Sequence, residues 1–287
     1  GTDFSATLLA TSASNVEFVD FYNEGPGFDD YQNVIGVASR NEEANHILLT
    51  GNDFDGNKYS HHENNKGLTP ETAVAALYSQ DWEDDGKAVS GITDWIADTD
   101  SDSIGVTDEN RGTALAGLIT LFESKDFQDS VLETRHTVTD SEGEEWLNAS
   151  ASQVNPEIAQ SLGEVFLTYM DEFADTDGPD GSSIDTRWHP EKGNVELSTE
   201  GRLAYTQFIV GDEQTAQNIF TESAMNTAYA MEDYATNTGE RTQGPATAAG
   251  SLQGLVEAAL DLESQRREDN HNDEADYRNQ IKDAAIY

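Results

Sequence analysis

The sequence predicts an all-α protein, an irregular multi-helix bundle. Three observations carry that prediction. Apolar residues return every three to four positions along most of the chain, capping residues or helix-starting prolines precede many of these runs, and no stretch alternates with the period of two that a strand requires.

Residues 3 to 23 place Phe4, Leu8 and Leu9 ahead of Val16, Val19 and Phe21, which predicts two short helices split around Ser12 to Asn15. Gly25-Pro26-Gly27-Phe28 is a turn, and helical spacing resumes between Asp30 and Leu49 through Tyr31, Val34, Ile35 and Val37. The polar stretch from Gly51 to Gly67 is loop.

Leu68 to Phe122 is the stretch around which the chain is organised, with three helices expected. Thr69 is an N-cap and Pro70 suits the first helical position, where its missing N–H costs nothing. Ala73, Val74, Leu77 and Tyr78 then share a face. Asp84 or Asp85 starts the second helix, with Val89, Ile92 and Ile96 in helical register and Trp95 beside them. Gly91 falls inside that helix, where a glycine costs about 1 kcal/mol relative to alanine, so its expected use is to admit another backbone closely. The third helix runs from Asn110 to Glu123 with Leu115, Leu118, Ile119 and Phe122 facing a core.

Further on, Phe127 to Val138 is expected as helix, and Ser141 to Ser152 is ambiguous, anchored only by Trp146 and Leu147. Asn155-Pro156 opens the clearest helix, whose Ile158, Leu162, Val165, Phe166, Tyr169 and Phe173 form one apolar face. The Gly-, Pro-, Ser- and Asp-rich run from Asp175 to Asn194 is the candidate boundary between an N-terminal helical subdomain, 1–178, and a C-terminal one, 179–287. A single continuous domain is the alternative. Ser198 or Thr199 caps the next helix, Gly211 starts another that reaches about Asn237, and a last one begins near Ala246. From Leu262 onward that last helix is almost wholly charged and is expected to run on toward Tyr287 as a solvated or partner-seeking element.

The chain has 287 residues, enough to bury a sizeable core, and 36% of them are hydrophobic, with 4 Trp, 10 Tyr and 11 Phe. Fifteen basic residues stand against 56 acidic ones, giving a net charge of −41. Such a field repels phosphate and anionic lipid, so nucleic acid and membrane are excluded as expected partners, while cations and basic proteins are attracted. The acid excess is expected to be a hydrated export or high-salt surface, with specific calcium sites as the competing account. There is no cysteine, which removes thiol nucleophiles, disulfides and thiolate metal sites together. No run approaches the length of a membrane-spanning helix, and no signal peptide is visible. The chain opens Gly1-Thr2-Asp3 without Met, which points to a piece of a longer protein whose targeting signals lie outside it.

Several phrases carry a resemblance: DFSATLL followed by VDFY, LYSQDWEDDGKAVSGITDWI, NPEIAQSLGEVFLTYMDEF, LAYTQFIVGDEQTAQNIF and AAGSLQGLVEAALDLES. Together they resemble an uncharacterised helical region of large actinobacterial proteins labelled TPR-repeat-region, many of them beside type VII secretion systems or in polymorphic toxins. The resemblance implies a secreted or cell-surface setting (otherwise cytoplasmic), with protein partners or attached domains of the same polypeptide, and it supplies no catalytic residue. No 34-residue period is apparent in the chain, so the TPR label itself finds no support in the spacing.

Candidate chemistry is sparse. Asp98, Asp100 and Asp102 with Glu109 at the twelfth position have the acidic spacing of an EF-hand calcium loop, but Ser103 replaces the glycine at position six and Gly105 occupies the apolar eighth place. In a chain this acidic a solvated loop explains that run better, so these four residues are a speculative metal set. Asp53-x-Asp55-Gly56-Asn57 and Asp175-x-Asp177-Gly178 are weaker versions of the same pattern. His61, His62 and Glu63 lack the HExxH spacing, and Asp269-Asn270-His271-Asn272-Asp273 lies on a charged helix. Trp82, Trp95, Trp146 and Trp188 are spaced as core anchors. No GxSxG, P-loop or dinucleotide fingerprint occurs. The expectation is a non-enzymatic helical scaffold or interaction domain with no catalytic residues and no cofactor; the alternatives are a hydrolase using an unrecognised carboxylate pair and a calcium-dependent binding module.

Overall fold

The computed structural model describes residues 1–22, 28–60, 67–98, 105–139, 143, 145–174, 197–236, 244–270 and 277–285. Among the described residues about 75% are helical, in fifteen helices. One buried apolar cluster runs through them from Ala6 to Ile281.

Helix α1 spans Thr2–Tyr22 without the expected break. The polar residues thought to split it satisfy themselves along the helix: the Ser14 hydroxyl donates to the Ala10 carbonyl (2.8 Å) and the Asn15 amide to that of Thr11 (2.6 Å). The helical spacing between Asp30 and Leu49 belongs to two helices, α2 (Phe28–Ala38) and α3 (Glu42–Thr50). Asn41 separates them because its side chain accepts from the Ala44 amide and starts a new helix, while Gly51 ends α3 at a φ of 77°. The first helix packs on α2, α3 and α4 (Pro70–Tyr78), the last opened as expected by Thr69 and Pro70.

The helix expected around Gly91 is broken there into α5 (Lys87–Ser90) and α6 (Asp94–Ala97). A Cβ on Gly91 would sit 2.7 Å from the Ser39 hydroxyl, and the Gly91 carbonyl accepts from the Asn45 amide at 3.0 Å. The close approach is real, but the intruder is a side chain. Helix α7 (Asp108–Glu123) begins behind a capping box of Thr107 and Asn110, and α8 (Lys125–Leu132) follows behind Ser124.

The helix expected to reach Val138 ends instead at Leu132. Thr134 and His136 pair with Ala149 through backbone bonds of 3.0 and 3.1 Å, and a two-residue antiparallel pair, β1 (Val138–Thr139) with β2 (Glu145–Trp146), closes that hairpin. Thr134, Thr137, Val138 and Thr139 are β-branched, which favours the extended form once a partner strand is present. Helix α9 (Ala151–Val154) leads into α10 (Pro156–Thr168) and α11 (Met170–Phe173), and every apolar position expected on that face is buried.

On the far side of residues 175–196 come α12 (Thr199–Ile209), capped by Ser198, then α13 (Glu213–Thr236) and α14 (Gly244–Asn270). Helix α12 lies against α7 so closely that a Cβ on Gly201 would fall 2.7 Å from the Ile119 carbonyl oxygen. The charged continuation is not one solvated helix. It ends at Asn270, and a separate helix α15 (Tyr277–Ala285) packs back on α13 and α14, with Tyr277 and Ile281 buried. Trp82 and Trp95 are core residues as expected.

Candidate interaction surface

A groove of about 600 Å³ that could engage a partner is walled by α5 and α6, α10 and the start of α13. Glu157, Gln160, Ser161, Glu164 and Leu167 recur at helical spacing and form the α10 wall. Gly163, on the same helix, brings α13 in: a Cβ there would lie 2.7 Å from a Thr215 methyl. Asp94 and Asp98 face the groove from the first wall, with Lys87 as its cation, and Gln214 and Asn218, bonded to each other at 3.0 Å, line the third. Four carboxylates against one ammonium make this an electronegative trough.

A second groove of about 510 Å³ shares Lys87, Asp94 and Asp98 and adds Arg40, Glu42, Asp84 and Trp95. The short helices α5 and α6 therefore form a ridge with an acidic groove on each side.

Of the speculative calcium set, Asp98 caps the C-terminus of α6 and Glu109 stands in the first turn of α7, both exposed, while Asp100 and Asp102 lie outside the described residues. Among the described residues no group of three or more metal-binding side chains forms. The Asp53 carboxylate accepts from the Asn57 amide at 2.7 Å, which holds it below its usual range. With Gly56 at a φ of 79° this closes a tight loop. His61, His62, Glu63, Asp175, Asp177, His271, Asp273 and Trp188 all lie outside the described residues, and of Trp146 only the backbone is described.

Two buried polar sites were not foreseen. Glu263, Arg266 and Arg267 belong to the stretch expected to be solvated, yet Glu263 has no exposed surface. Its carboxylate accepts from Arg266 (2.7 and 2.8 Å) and Arg267 (2.9 Å). Arg266 goes on to the carbonyls of Leu132 and Asn148 and to Gln153; Arg267 donates to the Gly211 carbonyl and lies 3.5 Å from the centre of the Tyr277 ring. Burial pushes the Glu263 carboxyl up, but the two guanidiniums outweigh it and the net shift is downward. The sequence signal was there in outline, since an acid three and four positions before two adjacent arginines places all three on one helix face.

The second site is His46, which is 2% exposed. Its Nδ1 donates to the Asn52 carbonyl at 2.9 Å, fixing the tautomer, while Nε2 is buried without a partner beside the rings of Phe54 and Trp95. Burial lowers its pKa against the opposing pull of the Asn52 carbonyl, Glu43 and Asp53. Of the carboxylates a hydrolase would need, Asp212 is pushed up by burial but caps α13 through two bonds from Thr215, and Glu263 is held by its arginines. Neither lines either groove.

Residues 1–95 match a family model described as a TPR repeat domain. The matched span ends within α6, so it takes in α1 to α5, part of the ridge and part of both grooves. It supports a helical repeat region there that no visible period announced. The helices in succession there are 21, 11, 9 and 9 residues long, so their lengths do not repeat regularly. No curated protein and no solved structure matches the chain.

Proposed function

We propose that this chain is a non-enzymatic helical scaffold that holds a basic protein segment in the acidic groove between α5–α6, α10 and α13, as part of a larger secreted or secretion-associated bacterial protein. The observation that carries the reading is that groove: three walls fixed by a common core and lined by four carboxylates, one lysine and the apolar Leu167 and Ile219. TPR repeats typically mediate protein–protein contacts, which agrees with the matched N-terminal region. No described helix is long and apolar enough to cross a membrane. The secretion setting rests on the sequence resemblance and is tested by the genes adjoining this one.

The groove is tested with a synthetic Lys- and Leu-bearing amphipathic peptide titrated into the full chain at low salt. Saturable binding that disappears in the Glu157→Gln/Glu164→Gln variant, with the helical circular dichroism unchanged, is expected. Equal binding by both proteins sinks the assignment. Charge-steered association also predicts that the on-rate falls steeply as salt rises.

A further inference from the structure

The C-terminal helix α15 gives a second and separate indication of what this acidic framework recognises. It has nine residues, of which Tyr277 and Ile281, one turn apart, are buried. A helix this short is marginal on its own in water, so its order depends on its seat. That seat is built from α13 and α14. The Tyr277 hydroxyl donates to the Val210 carbonyl at 2.7 Å, and its ring lies under Arg267. On the outer edge Arg278 bonds to Asp261 and Glu257, Lys282 reaches Glu257 at 3.2 Å, and the Lys282 ammonium lies 5.7 Å from the centre of the Phe220 ring. These outer pairs are partly exposed, so they are weak and salt-sensitive.

The fit is incomplete. Arg278 Nε is buried without an acceptor, and on α14 the Gln253 Oε1 atom is buried without a donor. Gln253 lies one turn before Glu257 and donates to it at 3.2 Å. Because Arg278 meets Ser264, Asp261 and Glu257, and Lys282 meets Glu257, α15 runs antiparallel to α14 toward Gln253.

From this geometry we infer that the α13–α14 seat is a binding site for a basic amphipathic helix of a partner protein, and that α15 is its resident competitor in the same chain. The partner helix presents an aromatic hydroxyl and an aliphatic side chain one turn apart, flanked by two cations, and extends far enough to give Gln253 a donor. Charge complementarity selects it: the seat offers Glu257 and Asp261 in a chain of net charge −41, and α15 answers with Arg278 and Lys282. This inference does not depend on the groove between α10 and α13, whose carboxylates are different.

The probe is a fluorescent peptide of residues 277–285, helix-stapled through the exposed positions 280 and 284, titrated into the 287-residue chain. In the unaltered protein the tethered α15 competes at high effective concentration and the peptide binds weakly. In Ile281→Ala, and in Arg278→Ala/Lys282→Ala, which alters only partly exposed side chains, the tethered helix is loosened and the peptide is expected to bind at least about tenfold more tightly. Added Glu257→Gln/Asp261→Asn, or high salt, reverses the gain. Equal peptide affinity in the unaltered protein and in whichever loosened variant keeps its native circular dichroism overturns the inference. So does sedimentation showing that the loosened helix is exchanged between two copies of the chain rather than replaced by the peptide.

Discussion

Glu263 holds two guanidiniums away from water, and removing one partner of a buried ion network leaves charge uncompensated. Glu263→Ala is therefore expected to cost about 3–5 kcal/mol in urea unfolding at neutral pH. Its folded pKa is depressed, so its contribution is present above the unfolded carboxylate value and is lost as pH falls through the lower folded value. His46 works in the same direction for a different reason. Its folded pKa is also lowered, so below the unfolded value near 6.5 the unfolded chain binds a proton that the native fold refuses, and stability declines as the solution is acidified from there. In His46→Leu the loss of stability between neutral pH and about pH 5 should be smaller than in the parent, measured by urea midpoints at each pH. An unchanged slope would mean that other groups carry the dependence.

At the scale of elements, α7 and α12 meet through a glycine. Gly201→Ala forces a methyl group toward the Ile119 carbonyl and side chain, and overpacking of this kind costs roughly 1–3 kcal/mol. Gly250, within α14, has open space around it, so Gly250→Ala is expected to be neutral or to stabilise by about 0.5–1 kcal/mol. Comparing the two thermal midpoints separates close packing from helix propensity. The α6–α7 connection carries the calcium alternative. On the scaffold reading the melting midpoint is the same in EDTA and in millimolar calcium, because a ligand that binds only the folded state would raise it.

Over the whole molecule, α12 and α14, beyond the candidate boundary at residue 178, pack on α7, α10 and α11 within one apolar cluster. Unfolding is accordingly expected as a single cooperative transition, with tryptophan fluorescence and helical circular dichroism coincident. Two separated transitions would favour the division into 1–178 and 179–287. The net charge of −41 adds self-repulsion to this core. Since the screening length shrinks from about 10 Å at 0.1 M salt to about 3 Å at 1 M, raising sodium chloride should raise the thermal midpoint. A falling midpoint would show that exposed pairs such as Lys282–Glu257 outweigh the repulsion.

Much of the architecture could be read from local patterns alone. Thr69 and Ser198 announce their helices because a side-chain cap acts on an amide three residues away, Asn155-Pro156 does so through the proline at the first helical position while the Asn155 side chain turns to the Trp82 amide and the Tyr78 and Gln80 carbonyls, and the stripes of α7 and α10 reflect the period of a single helix. What local pattern could not decide was whatever depends on a distant neighbour. Ser39 packs against Gly91 where the helix breaks, Ala149 draws Thr134 and His136 into a hairpin, and the carbonyls of Leu132 and Gly211 await Arg266 and Arg267 in a stretch whose composition looks solvated. The groove depends in the same way on α10 and α13 meeting at Gly163. Residue types set the periodicity and the caps, but burial of a charged side chain is favourable only where another part of the chain supplies its partner, and that pairing exists only in the folded molecule.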